Sequence, residues 1–176
     1  MVYTFSRTME VRAERLEDVG AVHSLNVAAF GRVNEADLVD KLRGLASTFS
    51  FVAVESAQIV GHIFFSPVAI AGCANDLSIL GLAPVAVLPE QQRQGIGTLL
   101  IRQSLAMCAQ FGYAAVVVLG DPNYYSRFGF IPAKAKRLGC EYTVPDEAFM
   151  VLELESDALK ECSGIVKYRS EFQACV

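Results

Sequence analysis

The sequence predicts a single α/β domain built on a mixed sheet, and three observations carry that prediction. Its 176 residues are 53% hydrophobic and 19% charged, enough for one sizeable core and far from the composition of a disordered chain. Apolar residues recur at every second position in some stretches and at every third or fourth in others, so strands and helices alternate. No linker, repeat or low-complexity tract interrupts residues 1–176.

A first strand falls around Met9–Arg12. The run LEDVGAVHSLNVAAF then has helical spacing through Val19, Val22, Leu25 and Ala29, with Glu17 or Asp18 favouring its N-terminal end. A second helix, NEADLVDKLRGL, has Asn34 as its cap, acids in its first turn, Leu38, Val39 and Leu42 on one side, and Gly44 as its stop. FSFVAVES and IVGHIFFSPVAI read as two strands joined by a short polar turn. After a turn over Gly72–Asp76 comes LSILGLAPVAVLP, a strand with Pro84 inside it. Proline cannot donate to a ladder, so it marks an edge, a bulge or a point where pairing stops. The next helix places Leu100, Ile101, Leu105, Cys108 and Phe111 on one face, turns Arg102, Gln103 and Gln110 away, and ends at Gly112. YAAVVVLG is the continuous apolar run of a strand covered on both faces. A turn and short helical piece, DPNYYSRFGF, follows, then strands at AFMVLEL and GIVKY.

Several functions are excluded at this level. The net charge of −4 gives no basic field for nucleic acid. The apolar runs fall far short of the roughly 20 residues of a membrane span. The N-terminus lacks a basic region followed by an apolar one, so no signal peptide is expected and the protein is placed in the cytoplasm. Cys73, Cys108, Cys140, Cys162 and Cys175 form no C-x-x-C pair, so they are expected to be reduced, and no metal is expected.

The informative stretch is PEQQRQGIGTLL, Pro89–Leu100. A dinucleotide fingerprint would want glycine or alanine where Leu100 stands, and a phosphate-binding P-loop would want a Lys-Ser or Lys-Thr pair that is absent. Glycines that merely tighten a turn are one remaining reading. The other is an anion seat: the first backbone N–H groups of a helix have no intrahelical partners, and bare Gly95 and Gly97 would let a pyrophosphate approach them. Gln92, Arg93 and Gln94 would add donors at its mouth.

VAVLPEQQRQGIGTLLI resembles the acyl-CoA signature of the GCN5-related N-acetyltransferases, Q/R-x-x-G-x-G/A, with Gln92, Gly95 and Gly97 in the pattern. The following strand and YYSRFGF resemble that family's next block, and the wording from Leu80 to Phe130 resembles its bacterial YhbS-like subgroup. The resemblance implies a mostly antiparallel sheet splayed between its fourth and fifth strands, with helices on both faces. It implies acetyl-CoA as acyl donor, its pantetheine arm on the main chain of Val85, Ala86 and Val87. The pyrophosphate would lie at Gln92, Arg93, Gln94, Gly95, Ile96, Gly97 and Thr98, with Asn123 near the arm and Tyr125 as general acid. The acceptor is an unidentified primary amine of a small molecule or protein, and the chain a monomer or homodimer. A glutamate that many relatives carry on the fourth strand has no counterpart in LGLAPVAV. His62, Glu35, Asp37, Asp121 or a water relay therefore remain open as the base. A non-catalytic acyl-CoA sensor is the alternative function.

Overall fold

The computed structural model describes residues 9–73 and 77–174; part of the Gly72–Asp76 turn, the extreme N-terminus and Cys175 lie outside them. Strands β1 (Met9–Ala13), β2 (Phe49–Glu55), β3 (Gln58–Ala71) and β4 (Ile79–Val87) pair antiparallel in sequence order. Strand β5 (Ala115–Leu119) joins β4 in parallel. The antiparallel β8 (Phe149–Glu153) and the two-residue β6 (Ile131–Pro132) continue the sheet beyond β5. The far end of β3 also pairs with β9 (Gly164–Lys167), which pairs in turn with β7 (Leu138–Cys140). Strands β6 and β7, two and three residues long, are additions to the elements expected from periodicity.

Pro84 acts as both a bulge and a terminator. Phe65 faces Leu82 and Ile63 faces Val85, so Ala83 and Pro84 together oppose Phe64 alone. Pairing of β4 with β5 runs only from Ile79–Ala115 to Leu82–Val118. Beyond Leu82 the two strands have no shared ladder, the splay that the sequence resemblance implied.

Helices cover both faces. On one, α3 (Ile96–Gln110) buries Ile96, Leu100, Ile101, Leu105 and Cys108 against β2 to β4. Its closest approach is at Gly61, where a Cβ would lie 2.7 Å from Leu100 Cδ1. Phe111 departs from the expected face. The helix has ended at Gln110, and the ring is exposed and stacked on Phe49 at 5.2 Å.

On the other face, α1 (Val19–Phe30) and α2 (Asn34–Leu42) bury Val22, Leu38, Val39 and Leu42 against Val52 and Phe64. Asn34 is the first residue of α2 and not its cap, which is Val33. Asp18 is buried at the entry to α1, gripped by both terminal nitrogens of Arg12 at 2.6 and 3.1 Å. The Arg12 hydrogen bond is the largest influence on this carboxyl and, against its burial, holds it below the usual carboxylate range.

One polar chain runs beneath α1. Asn26 Nδ2 donates to His62 Nδ1 at 3.0 Å, so His62 Nε2 carries the proton and donates to Ser50 Oγ at 2.9 Å. Ser50 donates to Glu14, which accepts from Arg43 Nε at 3.0 Å. His62 is fully buried, and desolvation with the nearby Arg43 charge pushes its pKa down to about 3.

Cys73 and Cys162 are disulfide-bonded, their Cα atoms 5.0 Å apart. The expectation of reduced cysteines is corrected here: β9 returns beside the end of β3 and brings together residues 89 positions apart. Cys108 and Cys140 are free thiols.

The His62 network predicts a pH dependence of stability. Its folded pKa lies below the ordinary 6.5, so the unfolded chain binds the extra proton between about pH 6.5 and 3. Stability from this group is complete above that window and is lost as pH falls through it, by at most ~1.4 kcal/mol per pH unit. Urea melts of wild type and His62→Gln at pH 7, 6, 5 and 4 should show a steeper loss in wild type, most clearly between about pH 6.5 and 5. That window lies above the range where depressed carboxylates such as Asp18 act on both proteins. Equal slopes in both proteins would contradict the assignment.

Candidate functional site

Where β4 and β5 part, two cavities open, about 630 and 410 Å³ in volume, and Val85 and Tyr125 line both. The larger is built around the start of α3. Arg93 and Gly95 both have left-handed backbone, φ 62 and 90, which curls the loop's amides around one concave point. Glycine at 95 adopts that geometry without the strain a side chain would carry. The helical ladder begins with Leu99 N–H donating to Gly95 O at 2.9 Å, so the amides of 96–98 precede it and carry the positive end of the helix dipole. Arg93 and Arg127 supply full charges at this cavity, and no acid is among its described lining residues. A chain of net charge −4 thus builds a local seat for an anion.

Gly97 is the position where a side chain has no room. A Cβ there would lie 2.8 Å from the Tyr124 hydroxyl. Tyr124 is held over the helix start by Arg127, whose guanidinium sits 4.5 Å from its ring centroid and whose Nε donates to the Tyr124 carbonyl at 3.2 Å. Arg127 is the residue that the sequence reading missed. It stands three beyond Tyr124 in YYSRFGF, the spacing of one helical turn, which was the available signal.

Gln92 lines the larger cavity and also braces the loop. Its Nε2 donates to Val87 O at 3.1 Å, at the end of β4. Leu88 donates to Val60 O in β3. By strand alternation the main-chain groups of Val85 and Val87 then point the other way, into the gap, whereas those of Ala86 point to β3. Ile96 and Thr98 line the cavity, while Gln94, bonded to Glu90 O, does not. Asn123 is exposed and outside the cavity lining, and its N–H donates to Asp121 Oδ1 at 2.9 Å.

Tyr125 is delivered to the junction by α4 (Pro122–Tyr125), which Asp121 caps. Its ring packs against Gly120, where a Cβ would stand 2.3 Å from Cε2. Burial, then the neighbouring Tyr124, pushes the phenol pKa well above its ordinary value, so the hydroxyl stays protonated at neutral pH and can donate. Tyr124 lines only the larger cavity, which separates the two phenols.

Of the four base candidates, the structure brings one to a cavity. Glu35 lines the smaller cavity, where Arg32 Nε donates to both its oxygens at 3.1 Å. His62 lies on the α1 face of the sheet inside its polar chain, and its depressed pKa makes it a poor base. Asp37 is exposed beside His23 and Asp40, and Asp121 is engaged as a cap.

The family model for the acetyltransferase (GNAT) domain matches residues 10–133. An uncharacterized N-acetyltransferase of Escherichia coli K12, YhbS, is 37% identical over 166 residues, 93% of this chain and 98% of its own length. A second from that strain, YjhQ, is 35% identical over 134 residues, 74% of each chain. The crystal structure of E. coli YhbS in complex with CoA superposes with a TM-score of 0.91 at 36% identity, over 98% of this chain and 96% of its own. A GNAT-family acetyltransferase of Brucella melitensis in complex with acetyl-CoA gives 0.76 at 36% identity, over 94% and 99%.

The packing of Tyr125 on Gly120 yields a prediction. Gly120→Ala forces the ring from its seat and should cost about 1–3 kcal/mol of stability by overpacking. Chemical denaturation checks this, and a cost near zero would mean that the ring is free to swing.

Proposed function

The chain belongs to the GNAT acetyltransferase family, and from that premise we propose that it transfers the acetyl group of acetyl-CoA to a primary amine. The observation that carries this reading is the junction itself: one cavity suited to an anion and one suited to an acceptor, meeting at Tyr125. A sensor would need the first cavity alone.

In this reading the amides of 96–98, with Arg93 and Arg127, hold the pyrophosphate of the donor. The gap-facing main chain of Val85 and Val87 pairs with the amides of the pantetheine arm as an added strand would. Val87 O already accepts from Gln92, so Val87 N–H and Val85 carry most of that pairing. The fit is good: the seat is cationic, the strand edge is unpaired by β5, and Gly97 leaves room at the helix start for the Tyr124 hydroxyl.

The neutral amine attacks the thioester carbonyl and a C–N bond forms. The C–S bond breaks with its electron pair leaving on sulfur as the CoA thiolate, and the ammonium proton passes to water or to Glu35. Tyr125 donates a hydrogen bond to the departing sulfur. Its raised pKa lies above that of an ordinary thiol, about 8.5, so the proton rests mainly on oxygen while the bond stabilises the developing thiolate. Glu35 is the carboxylate among the described lining residues of the smaller cavity, held there by the Arg32 guanidinium.

Acetyl-CoA at about a hundred times its dissociation constant should stabilise the protein by roughly 2.7 kcal/mol. Thermal shift reads this directly, and no shift at millimolar donor would sink the reading. Tyr125→Phe should lower kcat about 10²-fold while the dissociation constant for acetyl-CoA stays within a factor of two. Gly97→Glu should abolish donor binding by placing a carboxylate in the anion seat; retained affinity would move the donor elsewhere.

A further inference from the structure

The smaller cavity says more about the acceptor than that it is an amine. Its walls come from separate elements: Phe30 at the end of α1, Leu82 and Pro84 in β4, Val144 on the loop between β7 and β8, and Tyr168 and Phe172 at the C-terminus. Tyr168 lies 5.7 Å from Tyr142 and 5.3 Å from Phe172, centroid to centroid, so one side is a run of three rings. The charged residues among its described lining are Arg32 and Glu35, and each neutralises the other. The volume, about 410 Å³, lies within the range of small-molecule sites.

Resting on the acetyl-transfer reading above, we propose that the acceptor is a small primary amine with an apolar, aryl-sized body, an arylalkylamine in chemical class. The body lies against the rings of Tyr168 and Phe172, and the amine reaches past Val85 to the junction at Tyr125. A polyamine, an amino sugar or a lysine side chain in a cationic peptide would bring more charges or hydroxyls than the three tyrosine hydroxyls and the Arg32–Glu35 pair of these walls can satisfy, and unpaired buried polar groups are costly. The apolar walls also bear on the missing strand-four carboxylate. A cationic ammonium entering a cavity walled mainly by rings and aliphatic side chains loses part of its hydration, so its proton is held less tightly. Desolvation thus does part of what a dedicated base would do, with Glu35 as a nearby proton acceptor.

The test uses thiol release from acetyl-CoA with phenethylamine, spermidine, glucosamine and a lysine-containing peptide. Calorimetry of phenethylamine binding to the CoA-loaded protein runs in parallel. The proposal expects kcat/KM for phenethylamine about tenfold or more above each of the other three. It expects Val144→Trp, which fills the cavity from a loop, to raise the KM for phenethylamine about tenfold with the KM for acetyl-CoA unchanged. Leu119→Trp, from the end of β5, supplies the same test if the first variant does not fold. Preference for any hydrophilic acceptor, or an unchanged phenethylamine KM in the tryptophan variants, overturns the proposal. Phenethylamine binding without thiol release from any acceptor would sink the transfer reading and leave the ligand class standing. Turnover of spermidine or peptide without phenethylamine binding would do the reverse.

Discussion

Ala83 and Pro84 face Phe64 alone, and the β4–β5 ladder stops at Leu82; the rest of the site depends on this mismatch. A strand that continued to pair would leave no gap, and the main chain of Val85 and Val87 would be consumed by β5. With the ladder ended, the same groups remain available to a guest, and both cavities take the gap as their common wall. The arrangement is inexpensive in structural terms because β3 keeps pairing with β4 on the other side, so the open strand is held both before and after the bulge.

Holding an open gap requires a firm backing, and the face opposite α3 provides it. The Asn26–His62–Ser50–Glu14–Arg43 chain crosses from α1 through β3 and β2 to the end of α2. A fully buried imidazole is tolerable only when neutral and bonded at both nitrogens, which is how it stands here. The polar chain ties the two helices to the sheet, and those helices carry Phe30 and Glu35 to the wall of the smaller cavity. His62, tempting as a base from its place in a strand, serves the frame instead.

The legible parts of this protein were those written in short-range pattern. The spacing of Leu100, Ile101 and Leu105 announced α3, the alternation in FSFVAVES and IVGHIFFSPVAI announced β2 and β3, and Pro84 inside a strand announced an interruption. Gly95 and Gly97 pointed to an anion, and the family that they suggested is borne out by the match over residues 10–133. What stayed hidden depends on long-range return of the chain. Strands β6 and β7 are too short to show a period, and the bond between Cys73 and Cys162 exists only because β9 comes back to β3. Gln92, central to the motif, is engaged with its own strand. The second cavity draws on α1, β4, a loop and the C-terminal segment, so no local window contains it.

Val85 and Tyr125 belong to both cavities, and a shared wall has a thermodynamic meaning. Whatever factor a guest on one side imposes on the affinity of the other side is returned in full in the opposite direction. On the proposed acetyl-transfer reading, donor and acceptor thus form a single linked system with one coupling free energy, and Tyr125 and Val85 are the wall they share.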